Sequence, residues 1–290
     1  MKQEIHFVTG KGGVGKSVIA AALALKKSRE GKKVLLVELG NQSFFKDFFD
    51  LSEVDFQPRP LRENLSVALW TGEACLREYA RYLIKVESLY KIFFENAVMR
   101  AFINIAPALP ELAIMGKITS GPRKHGPPLK FDCLVVDAFA TGHFMALMEA
   151  PHGMAQAVQF GPMGEQSRGI DACLRDASLC QYHVVTLPEE LPMKEATELC
   201  ADLEKQWSVQ PRIILNKVLE VPVSLAELKA AQKNSSSGEA EFAQYLEQHV
   251  EQQKTFRQEA DKITKKISEV PLFFEGDPWQ LVEKVGDKLL

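Results

Sequence analysis

The stretch GKGGVGKS at residues 10–17 decides the interpretation of this chain. The apolar segment IHFVTG precedes it and the small-residue run VIAAALAL follows, so a glycine-rich loop lies between a predicted strand and a predicted helix. The loop satisfies two phosphate-binding patterns, G-x-x-x-x-G-K-[ST] for a nucleoside triphosphate and G-x-G-x-x-G for a dinucleotide. Both patterns direct backbone N–H groups at a helix N-terminus toward phosphate, where the helix dipole also favours negative charge.

The two residues after the last glycine favour the triphosphate. In that pattern a lysine, here Lys16, contacts the β- and γ-phosphates, and a hydroxyl, here Ser17, ligates Mg²⁺. A second buried strand, CLVVD, ends in Asp137 and supplies the distal carboxylate that a magnesium–nucleotide site needs, although a helix cap or turn residue is the alternative role. Glu38 ends another strand about where a dinucleotide fold places its ribose-binding acid, which keeps a dinucleotide oxidoreductase as the alternative.

Composition is typical of a globular protein: the 290 residues are 46% apolar and 25% charged. A net charge of −3 gives no reason to expect a nucleic-acid partner. Five widely spaced cysteines without a C-x-x-C pair argue against a zinc site or a disulfide framework and fit a reducing, cytoplasmic environment. No signal peptide is apparent, and no apolar run approaches the roughly 18 residues that span a bilayer, so stable membrane insertion is not expected.

Predicted strands alternate with predicted helices along the chain, which indicates an α/β fold with a doubly wound, mainly parallel sheet in a single domain over residues 1–290. Residues 41–70 are predicted to be loops with short elements. A helical subdomain is predicted at 72–120, and its aromatic-rich part, 72–107, either packs into the core or forms a binding surface. A charged helical segment is predicted at 225–267, with NSSSGE at 234–239 as a mobile loop.

The stretch KGGVGKS carries a second lysine, Lys11, and resembles the deviant Walker A signature of MinD/ParA ATPases, nitrogenase iron protein and the arsenical-pump (ArsA) and tail-anchored-protein-targeting (Get) ATPases. The stretch DAFATGH at 137–143 resembles the DTAPTGH switch of the ArsA/Get branch. Further similar segments are NIAPALPELAIMGKI at 104–118, VTLPEELPMKEATEL at 185–199, ILNKV at 214–218 and VPLFF at 270–274. Most of the chain outside 225–267 is covered by these similarities.

The resemblance implies a P-loop NTPase fold with a helical insertion, which binds ATP or ADP and Mg²⁺ and needs no zinc. It implies that Ser17 and Asp137 hold the metal, and that Thr141, Gly142 and His143 form a switch that senses the γ-phosphate. The candidate catalytic residues are Lys11, Lys16, Asp137 and Glu38. The candidate nucleotide-binding residues are Gly10, Lys11, Gly12, Gly13, Val14, Gly15, Lys16, Ser17, Val18, Asn216, Lys217 and Pro271. For Asn216, a role as a strand-end cap is the alternative.

Departures from the family pattern put hydrolysis in question. After the second strand the family has the sequence DPA, whose aspartate orients the attacking water, whereas this chain has Gly40, Asn41 and Gln42. Glu38 is the candidate substitute, but water positioning demands near-contact geometry. Val18 replaces a hydroxyl residue, and AFA replaces TAP in the switch. These departures predict that ATP binding is retained and that hydrolysis is reduced.

The resemblance also implies a nucleotide-driven dimer in which Lys11 reaches the partner's nucleotide. The expected assembly is a homodimer, or a heterodimer with a paralogous ATPase in which this chain is the weakly hydrolysing half, acting on an unidentified client. The alternative function is a nucleotide-gated binding module with little or no hydrolysis. A positioning factor of the MinD/ParA kind is a third hypothesis, which the short and weakly basic C-terminal helix does not favour.

Overall fold

A computed structural model describes residues 3–83, 108–234 and 236–289. Strands and helices alternate along these ranges, as the sequence predicts. The strands are β1 (Glu4–Gly10), β2 (Val34–Leu39), β3 (Arg59–Arg62), β4 (Leu65–Trp70), β5 (Cys133–Ala140), β6 (Cys180–Thr186), β7 (Arg212–Val218) and β8 (Ile267–Pro271). The helices are α1 (Lys16–Arg29), α2 (Phe44–Phe48), α3 (Gly72–Leu83), α4 (Leu109–Ile118), α5 (Ser120–Arg123), α6 (Thr141–Ala157), α7 (Pro162–Arg175), α8 (Glu190–Trp207), α9 (Leu225–Asn234), α10 (Ser237–Ile263) and α11 (Pro278–Gly286).

The strands form one eight-stranded sheet in the order β3-β4-β2-β5-β1-β6-β7-β8. All neighbouring pairs are parallel except β3 and β4, which pair antiparallel at one edge. Every residue of β2 is buried, as expected for an inner parallel strand that is covered by helices on both faces. The predicted doubly wound, mainly parallel α/β fold is therefore confirmed.

Each face of the sheet is covered by its own hydrophobic cluster, because alternate residues of a strand point to opposite faces. In β1, Ile5 and Phe7 join the cluster under α4, α6, α7 and α8, while Val8 joins the cluster under α1 and α11. The all-apolar middle of α1 packs on the second face, and all five cysteines are buried and form no disulfide. The core thus fixes α1, and with it the glycine-rich loop, against the centre of the sheet.

Two segments differ from the sequence prediction. Residues 41–70 hold more regular structure than expected, since β4 pairs along its whole length with β2. Residues 237–239 of the predicted mobile loop at 234–239 are helical, because Ser236 and Glu239 form a reciprocal capping box at the beginning of α10. The greater part of the aromatic-rich section, residues 84–107, lies outside the described residues.

The sheet order explains where a site can form. In a parallel sheet the carboxyl ends of neighbouring strands lie along one edge, and ligands bind there. The loop after β1 therefore lies between the ends of β5 and β6, its two neighbours. Thr9 strengthens this junction by donating a hydrogen bond from its hydroxyl to the carbonyl of Phe139 at 2.9 Å.

Candidate functional site

Two glycines of the loop occupy positions that no other residue fits. Gly10 has a φ of +142°, and a Cβ there would lie 2.1 Å from the carbonyl oxygen of Val185. Gly15 has a φ of +93°, and a Cβ there would lie 2.5 Å from Nδ2 of Asn216. Only glycine reaches these backbone conformations without strain and tolerates such close contacts. The loop therefore approaches β6 and β7 closely and turns directly into α1.

Lys16 is the first residue of α1, and its ammonium lies inside the loop. Its Nζ donates a hydrogen bond to the carbonyl of Lys11 at 3.1 Å. Burial lowers the pKa of Lys16, while the nearby charge of Asp137 opposes that effect. The first turn of α1 carries no acidic side chain and no side-chain cap. Its N–H groups and the lysine together provide the positive environment that a phosphate requires.

Asp137 and Ser17 lie together beside this lysine. Asp137 is buried, and burial raises its pKa to about 7. The charge of Glu38 adds to this rise, whereas the hydrogen bond from the Ser17 hydroxyl opposes it. Within the described residues, the Oδ1 atom of Asp137 is buried and has no hydrogen-bond partner. A buried carboxylate oxygen and an adjacent hydroxyl are the hard oxygen donors that Mg²⁺ prefers, so the residues fit this ion.

Glu38 lies next to Asp137 because the two residues pair in register on β2 and β5. Its carboxylate accepts hydrogen bonds from the Ser43 hydroxyl at 2.6 Å and from the Phe44 backbone N–H. Burial raises the pKa of Glu38, and these hydrogen bonds oppose the rise. Both oxygens are thus used to hold the beginning of α2. The carboxylate faces the site but also serves the fold.

The residues where the family has its DPA sequence continue directly from β2. Gly40 has a φ of +148°, which favours glycine, and Asn41 and Gln42 after it are neutral. Val18, which replaces the hydroxyl residue after Ser17, is half-buried and packs against the cluster beneath α1. The position expected to orient water therefore carries no carboxylate in this chain.

The signature lysine and the switch meet at a residue that sequence reasoning missed. Lys11 forms an ion pair through Nζ with Oε1 of Glu195, on α8. The hydroxyl of Thr141 donates to the other oxygen, Oε2, at 3.4 Å. Gly142 and His143 follow Thr141 at the exposed beginning of α6. Glu195 is one of several glutamates in a helical stretch, and no sequence signal separates it from the others.

The candidate base-binding residues lie at the ends of β7 and β8. Asn216 is buried, and its Nδ2 donates to the carbonyl of Val14 in the loop at 2.8 Å. Lys217 is exposed and has a φ of +55°, so the chain turns there. Pro271 pairs with Val218 at the end of β8. The structure thus gives Asn216 a bracing contact to the loop, and recognition of adenine by these residues stays a prediction.

The fold and the site define a class of protein. A glycine-rich loop between β1 and α1, a lysine at the helix start and a serine–aspartate pair at the sheet edge are the features of P-loop nucleoside-triphosphate-binding proteins. The comparison with protein families specifies the class further: residues 3–163 match the family described as anion-transporting ATPase, the ArsA ATPases. The chain belongs to this family, as the sequence resemblance predicts.

Several curated relatives are similar to this chain. ATPase BagA of Mycobacterium tuberculosis is 29% identical over 239 residues, which cover 78% of this chain and 68% of that protein. The arsenical pump-driving ATPase of Acidiphilium multivorum is 28% identical over 224 residues, covering 77% and 37% respectively. The ATPase ASNA1 homolog 1 of Paramecium tetraurelia is 20% identical over 249 residues, covering 73% and 74%. Each of these relatives is named as an ATPase.

Within residues 3–83, 108–234 and 236–289, no helix combines the length and the apolar character that a bilayer crossing requires.

Proposed function

We propose that this chain binds ATP with Mg²⁺ and hydrolyses it as a nucleotide-driven dimeric switch. The observation that carries the proposal is the grouping of Lys16, Ser17 and Asp137 around the loop, with a buried Asp137 oxygen that has no partner among the described residues. Membership of an ATPase family supports the same reaction. In this proposal a single domain carries the activity in the cytoplasm. It has no nucleic-acid partner, needs no zinc and does not insert stably into a membrane.

The roles of the residues follow from their positions. The backbone N–H groups of residues 12–15 and the beginning of α1 bind the phosphates, and Lys16 neutralises their β- and γ-oxygens. Ser17 and Asp137 hold Mg²⁺, which supplies positive charge to the phosphates when it is bound. Thr141, Gly142 and His143 come directly after β5, so that a change around Asp137 is transmitted along a short stretch of backbone to α6.

Lys11 acts in trans in this proposal, and places its ammonium near the phosphates of a partner subunit. The partner is a second copy of this chain or a paralogous ATPase. ATP closes the two subunits, and hydrolysis or exchange reopens them for an unidentified client protein. The names of the relatives include arsenical pump-driving ATPases; since all five cysteines of this chain are buried, we do not extend arsenical transport to it.

A second function is favoured by one observation: both oxygens of Glu38 hold α2, and Gly40 supplies no carboxylate. A site that holds the phosphates but has no group to orient water binds ATP and cleaves it slowly. The chain would then be a nucleotide-gated binding module, or the weakly hydrolysing half of a heterodimer. The adenine contacts proposed for Asn216, Lys217 and Pro271 are common to both functions.

Single-turnover ATP cleavage with Mg²⁺ tests the proposal. We expect Lys16→Ala to lower cleavage at least about 100-fold, because it removes the charge that meets the transferring phosphoryl group. Lys33→Ala, at an exposed lysine next to β2 and away from the loop, is the matched control and leaves cleavage unchanged. The mass of the protein in solution is measured with and without a non-hydrolysable ATP analogue.

Three outcomes separate the functions. Cleavage that Lys16→Ala abolishes, with a dimer driven by the analogue, supports the ATPase switch. Tight ATP binding without cleavage supports the nucleotide-gated module. No binding of ATP contradicts both functions. A monomer with and without nucleotide, and with every candidate paralogue, contradicts the dimeric switch.

A further inference from the structure

The carboxylate of Glu195 contacts two segments to which the proposed function assigns different roles, the glycine-rich loop and the beginning of α6. Oε1 of Glu195 is ion paired with Lys11 in the glycine-rich loop, and Oε2 accepts a hydrogen bond from Thr141 at the beginning of α6. We call this arrangement of Lys11, Glu195 and Thr141 the Glu195 bridge. It links residues separated by 184 and 54 positions in the sequence.

The order of the strands places the three segments together. Lys11 follows β1, Thr141 follows β5, and Glu195 lies in the first turns of α8 after β6. Because β5, β1 and β6 are parallel neighbours, their carboxyl ends lie side by side. The bridge therefore crosses the edge of the sheet at which nucleotide is expected to bind.

The bridge is weak enough to be broken. The Lys11 and Glu195 side chains are each 34% exposed, and ion pairs this open to water contribute only about 0.2–1 kcal/mol. A triphosphate carries more negative charge than one carboxylate and forms strong charge-assisted hydrogen bonds with lysine. The Lys11 ammonium cannot remain on Glu195 of its own subunit while it reaches a partner's phosphates. The two interactions are therefore in competition.

We propose that Glu195 is a positioning residue. It binds Lys11 and Thr141 of the same subunit until the nucleotide of the partner subunit competes for the lysine. This inference rests on the proposed function, in which Lys11 acts in trans. Release of Lys11 weakens the bridge and frees the beginning of α6, so that docking of the partner and movement of the switch occur together. The bridge thus opposes dimerisation when no nucleotide is present.

The test is the dimer dissociation constant with Mg²⁺ and a non-hydrolysable ATP analogue, measured by analytical ultracentrifugation. Two bridges break in each homodimer, so we expect Glu195→Gln to tighten the dimer about 2- to 30-fold. Glu198→Gln, at an exposed glutamate on the same helix, is the matched control and leaves the constant unchanged. In a Lys11→Met background, Glu195→Gln has no further effect, because the competition has already been removed.

Hydrogen exchange of residues 138–147 in the nucleotide-free protein separates this inference from the proposed function. The bridge predicts faster exchange in Glu195→Gln than in the parent or in Glu198→Gln. If no dimer forms with the analogue, the proposed function fails, and unchanged exchange then overturns the bridge as well. If the dimer forms but Glu195→Gln behaves as the parent, or acts equally in the Lys11→Met background, the inference is overturned and the proposed function stands.

Discussion

At the scale of single residues, the glycine-rich loop is held by contacts from distant strands. Asn216 on β7 donates from Nδ2 to the carbonyl of Val14, and this nitrogen lies only 2.5 Å from the position that a Cβ on Gly15 would take. Gly15 also has a left-handed backbone and begins α1 as its N-cap. The Asn216 amide therefore packs closely against Gly15, and a Cβ at this position would have to displace it.

We expect Gly15→Ala to lower the free energy of unfolding of the nucleotide-free protein by about 1–2 kcal/mol, from the left-handed backbone alone, with a further cost from the contact with Asn216. Gly12→Ala is the matched control, since a Cβ there meets nothing within 4 Å. Urea denaturation measures both variants. Equal stability of the two alanine variants would show that the backbone conformation of Gly15 is not constrained.

At the scale of elements, a short helix depends on a strand that precedes it. Ser43 is the N-cap of α2 and accepts a hydrogen bond from the Lys46 N–H at 3.1 Å, while its own hydroxyl donates to Glu38 at the end of β2. Glu38 also accepts from the Phe44 N–H, so a negative charge lies at the helix N-terminus, where the dipole favours it. The position of α2 is thereby coupled to the edge of the proposed nucleotide site.

We expect Ser43→Ala to lower the free energy of unfolding by about 1 kcal/mol, because one capping interaction is lost. Ser52→Ala, at an exposed serine after α2, is the control. Glu38→Gln combined with Ser43→Ala should cost less than the sum of the two single changes, since they share one hydrogen bond. Additive costs in chemical denaturation would contradict the coupling between β2 and α2.

At the scale of the whole molecule, two buried histidines join the central strands. Nδ1 of His6 on β1 and Nε2 of His183 on β6 are 3.0 Å apart, and one ring donates to the other. Burial lowers the pKa of both imidazoles. Nearby cations add to this effect, whereas Glu4 beside His6 opposes it; the cations are Lys27 and Lys32 for His6, and Arg212 and Lys27 for His183. The core is therefore built for neutral rings.

Acid should destabilise the protein through this pair. The folded pKa values lie below the unfolded value of about 6.5, so the unfolded chain binds more protons and stability falls as the pH drops through 6.5. Each imidazole contributes up to about 1.4 kcal/mol per pH unit until its folded pKa is reached. The raised pKa values of Asp137 and Glu38 act in the opposite direction. The informative quantity is therefore the difference between variants in how the free energy of unfolding changes with pH.

Chemical denaturation between pH 7 and pH 5 checks this expectation. His183→Gln should reduce the acid-induced loss of unfolding free energy relative to the parent, even if the variant is less stable at pH 7. His249→Gln, on α10 and more exposed, is the matched control. If the free energy of unfolding of His183→Gln falls between pH 7 and pH 5 as steeply as that of the parent, the histidine pair is not a source of acid sensitivity.

Local pattern was enough to predict much of the fold and part of the site. The glycine spacing, the lysine and serine after it and the buried strand ending in Asp137 are each readable along one stretch of chain, and the structure places them together. Weakly patterned segments were not readable in this way. The prediction of loops with short elements at 41–70 does not single out β4, whose place in the sheet is set by its pairing with β2.

The class of fold, the glycine-rich loop and the family could be predicted from the sequence alone, because these depend on residue types at fixed short spacings. The contacts of Glu38 with α2, of Asn216 with Val14 and of Glu195 with Lys11 become apparent only in the folded chain. The last two contacts join residues 202 and 184 positions apart. Such pairs meet only once the strand order β5-β1-β6-β7 is fixed. That order depends on how two hydrophobic faces are buried at once, which no local stretch of sequence specifies.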